Sequence, residues 1–89
     1  MNLYERAVLT FGRMNQTIVA IEELSELQKE LTKHLRGIGR NECLAEEMAD
    51  VQIVMEQLLL IFDNGKEVQE EKNRKLKRLE ERIEREENW

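Results

Sequence analysis

The sequence predicts an all-α chain, and three observations carry that prediction. Its 89 residues contain no proline and only four glycines, so helix breakers are nearly absent. Charged residues make up 37% of the chain, a composition that suits exposed helix faces. Apolar residues recur at the helical period, about every 3.6 positions, through two long stretches. A domain of this length sits near the size at which a lone core is marginal. The expected architecture is therefore a four-helix, antiparallel, bundle-like fold completed by oligomerisation.

Each element has its own signals. Asn2 is placed to cap a first helix running to Phe11, with Glu5 at the capping-box position and Gly12 as the stop. Tyr4, Val8 and Phe11 are its expected core residues, with a stacking contact to a nucleobase as their functional alternative. The second helix runs from Met14 or Asn15 to Arg36. Its stripe is Ala20, Leu24, Leu27, Leu31 and Leu35, with Glu23, Glu26 and Glu30 along the edge, and Gly37 closes it in the left-handed conformation. The loop Gly37-Ile38-Gly39-Arg40 turns the chain, Asn41 caps the third helix, and Asp63-Asn64-Gly65 ends it. Leu44, Val51, Val54, Met55, Leu58, Ile61 and Phe62 cluster on one side of this helix. Ile53 and Leu60 add a second apolar face, which puts it at the centre of an assembly. The fourth helix runs from Glu67 into the Glu80s with a narrow stripe of Val68, Leu76, Leu79 and Ile83. It is expected to lie beside the third helix or to pair with a partner chain, and residues 86–89 are expected to fray. Short loops make the long helices antiparallel neighbours.

Charge narrows the possible partners. The formal net charge is −5, and it is unevenly placed. Residues 1–65 hold six Lys and Arg against eleven Asp and Glu, whereas residues 66–89 hold eight of each. An acidic core argues against a nucleic-acid duplex, which demands a basic footprint. The single cysteine, Cys43, offers no disulfide framework, so a reducing, cytoplasmic setting is expected. No signal-peptide pattern or 18-residue apolar run is visible, so no membrane partner is expected.

Four carboxylates carry the chemistry. Glu23 and Glu26 lie on the second helix; Glu47 falls inside the apolar arc of the third, and Asp50 sits on its margin. An ionised carboxylate turned into an apolar interior costs several kcal/mol unless a cation compensates it. No lysine or arginine lies between Arg40 and Lys66, so the third helix supplies none. Two pairs at i, i+3 spacing on facing helices can hold one ion or two, and all-oxygen ligation selects a hard cation, Mg²⁺ or Mn²⁺. His34 stands alone near a helix end, which excludes the Glu-x-x-His di-iron pattern of other bundles. Cys43 has no histidine near it in sequence and reads as packing. Lys33, Arg36, Arg40, Lys72, Arg74, Lys75 and Arg78 are solvated charges by default and phosphate clamps if the site handles phosphates.

The segment Ile21-Glu22-Glu23-Leu24-Ser25-Glu26-Leu27, followed by Glu46-Glu47-Met48-Ala49-Asp50-Val51, resembles the Glu-Glu-x-x-Glu … Glu-x-x-Asp signature of the MazG-type all-α nucleotide pyrophosphohydrolases. The resemblance covers roughly residues 2–80. It implies Mg²⁺-dependent hydrolysis of a ribo- or deoxyribonucleoside triphosphate to the monophosphate and pyrophosphate, in homodimers or homotetramers. It assigns metal ligation to Glu23, Glu26, Glu47 and Asp50 and adds Glu22 to the catalytic set. Gln16, two turns before Glu23 on the same face, suits a substrate contact, and Lys72-Asn73-Arg74 resembles the polar cluster of the family's C-terminal helix. Lys72 and Lys75 are the first expected phosphate contacts. A spare carboxylate, Glu22, Glu30 or Glu46, can take the proton from the attacking water. The phosphoribosyl-ATP pyrophosphohydrolases share the carboxylates, but their Gly before the Glu pair and their aromatic-His after the Ala-Asp step are replaced by Ala20-Ile21 and Val51-Gln52-Ile53-Val54. Two other classes are compatible with the pattern: a non-catalytic helical partner-binding module, and a degenerate pyrophosphohydrolase fold that keeps its metal without turnover.

Overall fold

A computed structural model describes residues 1–87 as four helices. They are α1 (Leu3–Phe11), α2 (Arg13–Leu35), α3 (Asn41–Phe62) and α4 (Gly65–Glu87), and no strand occurs among the described residues. Asn2 caps α1 as its sequence indicates: its side chain accepts from the Glu5 N–H at 2.8 Å, and the Glu5 carboxylate accepts from the Asn2 N–H at 3.2 Å. Gly12, at φ 94°, lets α2 follow immediately, because only glycine adopts such a conformation without a Cβ penalty. Gly37 is left-handed at φ 77°.

Several boundaries differ from expectation: α2 begins at Arg13 rather than Met14 or Asn15 and ends at Leu35, with Arg36 as its cap. The residue capping α3 is Arg40 rather than Asn41, with no side-chain hydrogen bond, so Asn41 sits inside the first turn. At the other end Asp63 takes the left-handed position at φ 48°, a conformation short polar side chains tolerate. Gly65 is thereby released to open α4 two residues early. Helicity extends through Glu86 and Glu87; the fraying expected of Asn88 and Trp89 lies outside the described residues.

The core is the antiparallel α2–α3 hairpin with α1 laid across both helices. Its buried positions are Gln16, Ala20 and Glu30 on α2 and Val54, Gln57 and Ile61 on α3. The interface on α2 is thus the row Gln16, Ala20, Glu23, Leu27, Glu30 and His34, turned roughly 60° about the axis from the leucine stripe at 100° per residue. Leu24, Leu31 and Leu35, expected inside, are 44%, 47% and 91% exposed. Met55, Phe62 and Phe11 are likewise exposed rather than core. Rotation brings the acidic edge of α2 against α3 and leaves its leucines for another surface.

The four-helix bundle is not closed within one chain. α4 makes no more than a marginal contact with the other helices, and every one of its described residues is exposed. Four apolar residues on a 23-residue helix offer too little surface to hold it against α3. The molecule spans 54 × 37 × 18 Å with a radius of gyration of 16.7 Å, against about 12 Å for a compact chain of this length. No helix among the described residues is long and apolar enough to cross a membrane.

Candidate metal centre

The hairpin brings three carboxylates from its two helices to one point. Glu23 of α2 and Glu47 and Asp50 of α3 each place an oxygen within 4.8 Å of the other two, and all three side chains are half-buried. The spacing is helical in origin: Glu47 and Asp50 share one face of α3 three residues apart, and the α2 interface row carries Glu23 to meet them. One oxygen of Glu47, Oε2, is shielded from solvent and has no hydrogen-bond partner. A buried acceptor left this way is costly.

Mutual repulsion shapes the titration of the cluster. The Glu23 carboxyl is pushed above its ordinary value, first by burial, then by the charge of Asp50 and a hydrogen bond with it, and then by Glu47 and Glu26. Glu47 is raised by burial first, then by the charges of Asp50, Glu26, Glu30 and Glu46. No salt bridge among the described residues reaches Glu23, Glu47 or Asp50. Lys33, a cation of α2, pairs with Glu30 at 3.3 Å.

The remaining expected residues are distributed around this point. Glu26 is exposed and outside the convergent trio, but close enough for its charge to act on Glu23 and Glu47. Glu22 and Glu46 are exposed on the flanks. Gln16 is buried in the α2–α3 interface, where its Nε2 donates to Gln57 Oε1 at 2.6 Å; its amide is engaged between the helices. Lys72 and Lys75 line a mostly apolar groove on α4 with Val68, Leu76 and Leu79. Neither lysine takes part in a salt bridge, and the chain does not bring them to the carboxylates. α4 does not lie beside α3, contrary to expectation, since its stripe has no mate there.

Sequence reasoning missed two features of the interface. Gln57 is only 5% exposed, and its pairing with Gln16, which the sequence suggested as a substrate contact, has no signal in spacing. Glu30 is buried with Lys33 as partner, which its i, i+3 spacing to a lysine could have flagged. His34 reaches across the turn to the Arg40 carbonyl, 3.2 Å from Nε2. Its ring lies so close to Gly39 that a Cβ there would sit 2.2 Å from it. This contact fixes the loop joining the two carboxylate-bearing helices.

The arrangement can ligate a hard cation through oxygens from both helices, and the unpartnered Glu47 oxygen fits a ligand atom in waiting. No family model matches the chain, and neither a curated protein nor a solved structure matches it.

Proposed function

We propose that the chain is a Mg²⁺-dependent nucleotide pyrophosphohydrolase that cleaves a ribo- or deoxyribonucleoside triphosphate to the monophosphate and pyrophosphate. One observation carries this reading: Glu23, Glu47 and Asp50 converge from two facing helices while an oxygen of Glu47 has neither solvent nor a hydrogen-bond partner. The resemblance of Glu22–Glu26 and Glu46–Asp50 to the MazG-type signature supports the same chemistry. Glu23, Glu47 and Asp50 hold the ion, with Glu26 at the rim. Mg²⁺, or Mn²⁺ in its place, supplies neutralisation of the triphosphate and a bound water of lowered pKa. Exposed Glu22 and Glu46 are free to accept a proton, whereas Glu30 is occupied by Lys33. Lys72 and Lys75, outside any ion pair, serve as phosphate contacts.

The working form is a homodimer or homotetramer in a reducing, cytoplasmic compartment. Its seat is the exposed side of the hairpin, where Ile21, Leu24, Leu31, Met48, Met55 and Phe62 stand in solvent. Contiguous apolar patches of that kind mark interfaces.

The direct test incubates the protein with canonical and damaged nucleoside triphosphates and Mg²⁺ and assays pyrophosphate. Release that depends on the metal and is abolished in Glu47→Gln supports the enzyme. The exposed apolar surface favours a second reading, a non-catalytic interaction module, and no release from any triphosphate, together with thermal stability indifferent to Mg²⁺, favours that reading instead.

A further inference from the structure

We propose that α4 acts in trans, lying across the carboxylate site of a second copy of this chain and supplying the cations that the site lacks. Three independent observations meet here. The first is surface area. The chain exposes 7516 Å², whereas a compact monomer of its mass exposes about 5,500 Å². The excess, roughly 2,000 Å² per chain, is more than twice the ~800 Å² per partner that a standard interface removes. Much of it lies on α4, whose residues are all exposed and whose Leu76, Leu79 and Ile83 stand about half in solvent.

The second is charge register. Arg74, Arg78, Arg82 and Arg85 follow one another at helical spacing along one flank of α4, and Leu79, Arg82, Ile83 and Arg85 share the lining of one groove with Glu86 and Glu87. This flank, which also carries Glu67 and Glu71 in its first turns, is rich in cations toward the end of the helix. On the hairpin, Glu22 and Glu26 on α2 and Glu42, Glu46 and Asp50 on α3 repeat every four residues along their edges. Ladders of opposite sign and equal spacing are complementary. Among the described residues, Arg74 is the one α4 cation with an ion-pair partner, Glu71 of its own helix.

The third is connectivity. Only Asp63 and Asn64 separate α3 from α4, and the Val68 N–H donates to the Asn64 carbonyl at 2.9 Å. The helix therefore starts at once and, beyond a marginal contact near its start, is not packed against its own chain. A second copy is the occupant that presents the acidic edge together with apolar surface. In a two-fold assembly each arm covers the other's site, so neither site is complete without its partner. The clamping role of these cations rests on the pyrophosphohydrolase reading; the docking itself does not.

The test is a crosslink whose outcome is independent of catalysis. In a Cys43→Ser background, Glu46→Cys and Arg78→Cys are combined in one chain, prepared both isotope-labelled and unlabelled, and the two are unfolded and refolded together. Short bismaleimide crosslinking and mass spectrometry then read the peptide joining positions 46 and 78. About half of these peptides are expected to pair a labelled with an unlabelled half, as random two-fold pairing dictates. Matched pairs alone mean α4 docks in its own chain, and absence of the peptide means no docking; either overturns the proposal. Light scattering of the unsubstituted protein is the second measurement: a monomer would overturn it, whereas a dimer that dissociates in Arg78→Glu supports it. Crosslinking in trans without pyrophosphate release would leave this proposal standing while the enzymatic reading failed.

Discussion

Glu47 is held in the folded chain against both burial and like charge. Its carboxylate stands beside Asp50 and Glu23 with one oxygen unsatisfied, so ionisation opposes folding. Because the folded-state values of Glu23 and Glu47 are raised, their contribution to stability is greatest below the ordinary glutamate value. It is lost as pH rises through the raised values. Without divalent ions, Glu47→Gln should raise the melting temperature at neutral pH and flatten its decline between mildly acidic and neutral conditions, a comparison made by calorimetry in chelator. An unchanged pH profile would place the repulsion elsewhere. Gln57 behaves oppositely. Gln57→Ala removes the acceptor of Gln16 and leaves a buried amide unpaired, which should cost about 1–3 kcal/mol in denaturant unfolding. The carboxylates were legible in the sequence because four acids near apolar arcs with no nearby cation form a pattern. The Gln16–Gln57 pair was not, because its energy depends on which faces meet.

The helices themselves were legible from caps, glycines and periodicity, but their rotation was not. Periodicity reports that α2 has an apolar stripe, yet it does not say which neighbour the stripe faces. The structure turns Gln16, Glu23 and Glu30 toward α3 and leaves Leu24 and Leu31 in solvent. The choice makes sense if those leucines are covered elsewhere and the acids must converge. Gly39 shows the same limit for loops: a glycine in a turn suggests freedom of φ, whereas here it provides room for the His34 ring. Gly39→Ala should push that ring from the Arg40 carbonyl and destabilise the hairpin by about 1 kcal/mol, read as a lower denaturant midpoint with an unchanged slope. A midpoint at or above that of the unsubstituted chain would mean the loop has room to spare.

At the scale of the molecule, an expected bundle is present as a three-helix body and a free arm. No single chain reveals this from composition, since the stripe of α4 is visible in the sequence while its missing mate is not. An arm of 23 residues with an exposed apolar stripe is marginal alone. Leu79→Glu, at an exposed position of α4, should leave the three-helix body folded and weaken assembly, seen as a fall in mass by light scattering. Unaltered mass would exclude α4 from the interface. The most direct measurement is thermal melting of the unsubstituted chain and of Glu47→Gln with and without millimolar Mg²⁺. An ion that binds only the folded state adds about 2.7 kcal/mol at a concentration one hundred times its dissociation constant. The expected result is a melting temperature several degrees higher with Mg²⁺ in the unsubstituted chain and no rise in Glu47→Gln. Equal melting temperatures with and without the ion in the unsubstituted chain would contradict a metal site at Glu23, Glu47 and Asp50.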